Sequence, residues 1–194
     1  MARRRTRSQR TPNPVEAAPD NSAGQLIREW SAFLPDLDKS AFSIQYQLHR
    51  INVIATQVTN RLAIPFDIND IDVTLLMVIR RDQSVRPVRP SDLWRQFDLR
   101  PSAITYRIDR LHKLGLIDRR PDRCDRRAIS LALTAKGEHA IVEIVRAFND
   151  CVSERLATID AIGGREELDR LLGVFVAAWE AVSTDHEAPG EKAP

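Results

Sequence analysis

This chain of 194 residues is poor in the residues that mark several protein classes. Glycine occurs only seven times and no segment repeats at a fixed period, which argues against a glycine-rich β-fold or a solenoid. Two cysteines, Cys124 and Cys151, are too few for a disulfide framework and point to a reducing cytoplasm. No apolar run approaches the roughly 20 residues of a membrane span. The N-terminal arginines have no apolar core behind them, so the start does not read as a secretory signal, and Glu16, Asp20 and the prolines fit an organelle transit peptide poorly. The histidines His49, His112, His139 and His186 stand alone. No Cys or His pair has metal-ligand spacing, and neither a glycine-rich phosphate loop nor a nucleophile elbow is present. Together these absences weigh against an enzyme, a metal or cofactor site, and a membrane protein.

What is present is ordinary in bulk and uneven in placement. Apolar residues make up 43% and charged residues 29%, as in a globular protein with a real core. The net charge of +2 hides local extremes. The first ten residues hold five arginines, and residues 100–127 hold eight arginines and one lysine against four aspartates, a net of +5. After Val182 the balance turns acidic, with Asp185, Glu187 and Glu191 against Lys192. Positive charge concentrated on one segment points to a polyanionic partner.

Periodicity predicts a mainly helical chain with one small β-hairpin. Residues 1–22 read as a disordered basic tail. A short helix follows over about Gln25–Leu34, stopped by Pro35. A long one, capped by Asp38 or Ser40, runs to about Ala63, with Ile44, Leu48, Ile51, Ala55, Val58 and Leu62 at helical spacing. Asn69 caps "DIDVTLLMVIRRD", whose apolar face is Ile71, Leu75, Val78 and Ile79. The prolines of "SVRPVRP" exclude a helix there, and Ser91 is expected to cap "DLWRQF". Pro101 opens "PSAITYRIDRLHKLG", with Ile104, Ile108, Leu111 and Leu114 inward and Gly115 as the stop. Strands are expected at Leu116–Arg120 and Ala128–Leu133. Thr134 then caps a helix to about Thr158, and a last helix spans about Arg165–Val182.

The order helix, short helix, helix, hairpin is that of a winged helix-turn-helix, whose second helix fits the major groove of double-stranded DNA. That helix presents Ser102, Thr105, Tyr106, Arg107 and Arg110 away from its apolar stripe. The hairpin tip, with Arg123, Arg126 and Arg127, suits the negative potential of a narrow minor groove, and Asp125 can hold a neighbouring arginine in an extended pose.

The stretch "SAITYRIDRLHKLGLIDRRPDRCDRRAISLALTAKG" resembles the core of the multiple-antibiotic-resistance-regulator (MarR) family of winged-helix transcription factors. The pattern "RLxxxGL", "RxPDxxDRR" and "LTxxG" is complete between Arg110 and Gly137. The resemblance implies a homodimeric, ligand-responsive regulator, most often a repressor, released from a palindromic operator by a small effector. It implies this organisation: a disordered tail over 1–22, dimerisation helices over 23–64, a DNA-binding region over 65–134, dimerisation helices over 135–183 and an acidic tail over 184–194. Upstream, "REWSAFLPDLD", "DIDVTLLMVIRR" and "TYRIDRL" resemble the urate-responsive branch of the family. That likeness implies a pocket for an anionic purine or aromatic ligand, urate first, formed by Trp30, Asp72, Arg107 and Arg119. The chain departs from that branch at "DQSVRPVRP" and at Pro101-Ser102, which bears on pocket shape.

Several of these residues have a plainer reading. Trp30 also suits a dimer core, and Asp72 in a first helical turn also suits the helix macrodipole. Cys124 lies among five arginines that would lower its pKa and favour redox chemistry, or it is an incidental exposed residue of the wing. Cys151 reads as helix-face core. The N-terminal arginines fit either a minor-groove arm or a phosphate contact. The rival functions are an architectural or redox-sensing DNA-binding protein without a small-molecule effector.

Overall fold

A computed structural model describes residues 23–97, 99–122 and 128–185. Among the described residues, seven α-helices and one hairpin follow in order: α1 (Ala23–Phe33), α2 (Lys39–Ala63), α3 (Asp70–Asp82), α4 (Pro90–Gln96), α5 (Pro101–Lys113), β1 (Ile117–Pro121), β2 (Ile129–Leu133), α6 (Ala135–Asp160) and α7 (Arg165–Asp185). The mainly helical class with a β-hairpin wing holds. Among the described residues no helix is long and apolar enough to cross a membrane.

The chain divides into two units, Met1–Gln57 and Val58–Pro194. In the first, Asp38 rather than Ser40 caps α2: its Oδ1 accepts from the main-chain N–H of Ser40 at 2.9 Å and of Ala41 at 3.1 Å. Trp30 packs edge-on against Phe33 and tilted against Phe42.

The second unit holds the core. Leu75, Leu76 and Ile79 of α3, Leu93 of α4, Ile104, Ile108 and Leu111 of α5, Leu131 of β2 and Ile144 of α6 are all buried. β1 and β2 pair antiparallel with Ile117 opposite Leu133 and Arg119 opposite Leu131. Val88 adds a single bridge to Leu131 and so edges the hairpin, between a turn at Ser84–Val85 and the start of α4 at Pro90.

Three expectations change. Helix α4 begins one residue before Ser91: Pro90 takes the first helical position, where its fixed φ costs nothing, and Arg89 is the cap residue. Asp92 Oδ2, at the third helical position, accepts from the Arg89 N–H at 3.0 Å and so braces the cap residue from within the helix. On α3 the buried set is Val73, Leu75, Leu76, Val78 and Ile79, with Ile71 only half-buried and Asp72 fully buried. Helix α7 continues past Val182 to Asp185, so its last residues, Thr184 and Asp185, are helical rather than part of a tail.

The C-terminus of α5 is docked on the start of α6. Gly115 takes a left-handed φ of 71°, which closes the helix. The next carbonyls are then satisfied from α6: Lys136 Nζ donates to Leu114 O at 2.8 Å, Thr134 Oγ1 to Gly115 O at 2.6 Å and Thr134 N to Leu116 O at 3.1 Å. Thr134 also caps α6 by accepting from Gly137 N at 3.0 Å. A Cβ on Gly137 would collide with the carbonyl oxygen of Leu116 and stand 2.9 Å from its carbon. The glycine of the "LTxxG" pattern is therefore the contact point between α6 and the chain leaving α5.

Candidate nucleic-acid interface

Helix α5 has two faces because its apolar residues recur at helical spacing. Ile104, Ile108 and Leu111 face the core, whereas Ser102, Thr105 and Tyr106 are exposed, Tyr106 by 69%. The structure thus groups three of the predicted contact residues on the outer side of the helix, near its N-terminus. Thr105 Oγ1 donates to Pro101 O at 2.9 Å, folding its hydroxyl back onto the helix.

Arg107 and Arg110 differ from that group. Both reach sideways to Asp72, whose side chain is fully buried. Arg107 Nη1 donates to Oδ1 at 2.8 Å and Arg110 Nη1 to Oδ2 at 2.7 Å. A buried carboxylate is costly unless paired and hydrogen-bonded, and this one has both kinds of partner. Its Oδ2 also accepts from Asn69 N at 3.2 Å, and Asn69 Oδ1 accepts from Asp72 N at 3.1 Å, a reciprocal capping box at the start of α3. Asn69 Oδ1 takes a further bond from Arg107 Nη1 at 3.1 Å. Arg110 is gripped a second time by Asp67, through both its carbonyl and its carboxylate, the latter at 3.3 Å. Asp67 itself has a φ of 55°, a left-handed conformation that an aspartate tolerates.

An open cleft of about 440 Å³ lies beside this cluster, lined by Ile64, Asp67, Asn69, Tyr106, Arg107 and Arg110. Of the expected ligand set, Asp72 and Arg107 are therefore brought together. Arg119 is not with them: it pairs with Asp109 on the outer side of α5. Trp30 belongs to the first unit, where it is 42% exposed among Phe33 and Phe42.

The wing is anchored at its base. Asp122, just past β1, is 2% exposed, and its Oδ2 accepts from Arg89 Nε at 2.7 Å. Its main-chain N–H donates to Ala128 O at 3.0 Å, closing the ladder. Arg89 is also the cap residue of α4, so one side chain ties the hairpin to the helix-turn-helix. The expected wing-tip contacts, Arg123, Asp125, Arg126 and Arg127, and Cys124 with them, lie outside the described residues. Cys151 on α6 is half-buried, with Arg155 Nη1 2.9 Å from its sulfur.

Residue patterning missed Arg89, Asp122 and the part of Arg110 that faces Asp72. Asn69 and Asp72 carry a legible signal, an Asn followed three residues on by an acid before an apolar run. The Arg89–Asp122 pair joins residues 33 apart and leaves no local trace.

Residues 66–128, the segment from α3 to the wing, match the sequence model of the MarR family. The HTH-type transcriptional regulator PecS of Dickeya dadantii (strain 3937) is 24% identical over 120 residues, 62% of this chain and 72% of that protein. Among solved structures, the Multiple Antibiotic Resistance Repressor MarR superposes with a TM-score of 0.58 at 21% identity, covering 68% of this chain and 93% of its own. Wild-type MarR from E. coli in its apo form gives 0.54 at 21% identity, covering 66% and 95%. The transcriptional repressor CouR, solved on a 23-mer DNA duplex, gives 0.55 at 19% identity, covering 69% and 90%. These proteins are named as transcriptional regulators or repressors, and residues 66–128 of this chain resemble the MarR family to which that sequence model belongs.

Proposed function

We propose that this regulator binds a palindromic DNA duplex as a homodimer, acts as a repressor in the cytoplasm, and is released by a small anionic aromatic or purine ligand. The observation that carries the DNA reading is the outward stripe of Ser102, Thr105 and Tyr106 on a helix whose other sides are fixed to the core, to Asp72 and to the start of α6. Such a helix, held rigidly and free on one face, fits a major groove. The CouR complex with DNA supports the same docking for this chain by likeness of fold. The wing arginines Arg123, Arg126 and Arg127 would flank it in the minor groove, with Asp125 as their support.

The dimer reading rests on exposed apolar surface. Helix α7 exposes Leu171, Leu172, Val174 and Val176, an apolar run of the kind that marks a protein–protein interface. Residues 23–64 and 135–183 then serve dimerisation and residues 65–134 serve DNA.

The effector reading rests on the cleft at Arg107 and Arg110. A planar anion entering it would compete with Asp72 for the two guanidinium groups and could stack on Tyr106. Because both arginines belong to α5, exchanging their partner would move the helix that meets DNA. Light scattering should give about twice the 22.0 kDa chain mass. Titrating a protein–duplex complex with urate, xanthine and simple aromatic acids tests release, with Arg107→Ala as the control. Release of wild type by none of these at millimolar level would remove the effector from the account, and a monomer binding DNA equally well would remove the dimer.

A further inference from the structure

We infer that α5 reads thymine methyl groups rather than guanine edges, with Thr105 as the principal specificity-determining residue. The inference rests on the DNA-binding reading above and extends it to the chemistry of the half-site. Direct readout of guanine in the major groove is mainly the work of arginine or lysine, bidentate to O6 and N7. Helix α5 carries two arginines, and both are committed elsewhere. Arg107 and Arg110 hold the two oxygens of a carboxylate with no solvent exposure, and Arg110 holds Asp67 as well. Turning either one to a base would strip a buried charge of a partner, which costs more than one base contact returns. Arg119, which could lean over the same face, is held by Asp109. Lys113 stands at the C-terminal end of α5, whereas the N-terminal residues of a recognition helix meet base edges.

On the outward face of the N-terminal end stand Ser102, Thr105 and Tyr106, with the exposed cap residue Arg100 just ahead of the helix. Thr105 has turned its hydroxyl to the carbonyl of Pro101, leaving its methyl as the branch free to meet a base. The exposed Pro101 ring lies one turn ahead of it. A threonine methyl and an aromatic ring are complementary to the C5-methyl of thymine, and the Ser102 hydroxyl can contact either member of a pair.

The test starts from a duplex enriched from a random library by the full-length protein. Each thymine of the half-site is replaced in turn by deoxyuridine, which removes only the methyl, and each guanine by 7-deazaguanine, which removes only N7. Wild type is expected to lose about fourfold in affinity at one or more thymines, the value of burying roughly one carbon group. It should change less than about twofold at every guanine. Thr105→Ser keeps the hydroxyl and sits on an exposed helix face, so it should fold as wild type and bind thymine and deoxyuridine equally at one of those positions. Indifference to every deoxyuridine, a tenfold or greater loss at a 7-deazaguanine, or a Thr105→Ser protein with the wild-type thymine preference would each overturn the inference. Failure to enrich any duplex is a different result: it overturns the DNA-binding reading and this inference with it.

Discussion

Arg110 donates to the buried carboxylate of Asp72 at 2.7 Å across 38 residues of chain. Three residues earlier on the same helix, Arg107 takes the other oxygen at 2.8 Å. One fully buried acid on α3 thereby fixes the helix that exposes Ser102, Thr105 and Tyr106.

Asp72→Asn is expected to lower stability by about 1–3 kcal/mol, because it keeps a capping oxygen but loses two charge-assisted bonds. Urea unfolding followed by circular dichroism checks this. A midpoint equal to wild type would mean that the pair contributes nothing net, as some buried pairs do.

The two glycines that bracket the hairpin's connections should separate by mechanism. Gly115 has a φ of 71°, and a Cβ there would meet nothing within 4 Å, so Gly115→Ala costs conformational strain alone, about 1–2 kcal/mol. Gly137→Ala meets the Leu116 carbonyl and must push α6 away, which should cost more and lower the yield of folded protein. Thermal melts of the two variants decide the order, and an unchanged melting temperature for Gly137→Ala would contradict the contact.

Much of this arrangement is legible in the sequence and some is not, for physical reasons. Asn69, Pro101, Gly115 and Thr134 act through their own backbone neighbourhood, so spacing alone locates them. Patterning places the start of α4 two residues late because Ser91 is a good cap by type, while Pro90 already fixes the first helical φ. Arg107 and Arg110 look like surface cations in the sequence, since nothing local records that a carboxylate on another helix is buried beneath them. Asp72 has two plain readings, macrodipole and ligand. Its capping box with Asn69 is local, whereas its ion pairs depend on how α3 and α5 cross.

The wing base provides a third prediction. Arg89→Ala and Asp122→Ala should each destabilise the fold and weaken DNA binding, and the double variant should lose less than the sum. The coupling should be about 1 kcal/mol, discounted because the Arg89 side chain is 39% exposed. Strict additivity in a double-mutant cycle would dissolve the tie between wing and helix-turn-helix.

On the acid side, the hydrogen bond from Arg81 is the main cause holding the Asp82 carboxyl below its ordinary range. A depressed pKa in the folded state contributes stability that is present above the unfolded value, near 4, and is lost as pH falls through the folded one. Asp82→Asn should therefore flatten the stability profile below about pH 4 and leave its shape near neutrality unchanged. An acid limb as steep as that of wild type would assign the loss to other carboxylates.

The most direct test of the account is fluorescence anisotropy of the full-length protein on its enriched duplex and on a scrambled one, between about 50 and 200 mM salt. Binding by a charged wing and a fixed recognition helix predicts that log affinity falls linearly with log salt, by about a thousandfold or more over that range. It also predicts that the enriched duplex binds at least about a thousandfold more tightly than the scrambled one at physiological salt. Equal affinity for the two duplexes, or an affinity insensitive to salt, would contradict it.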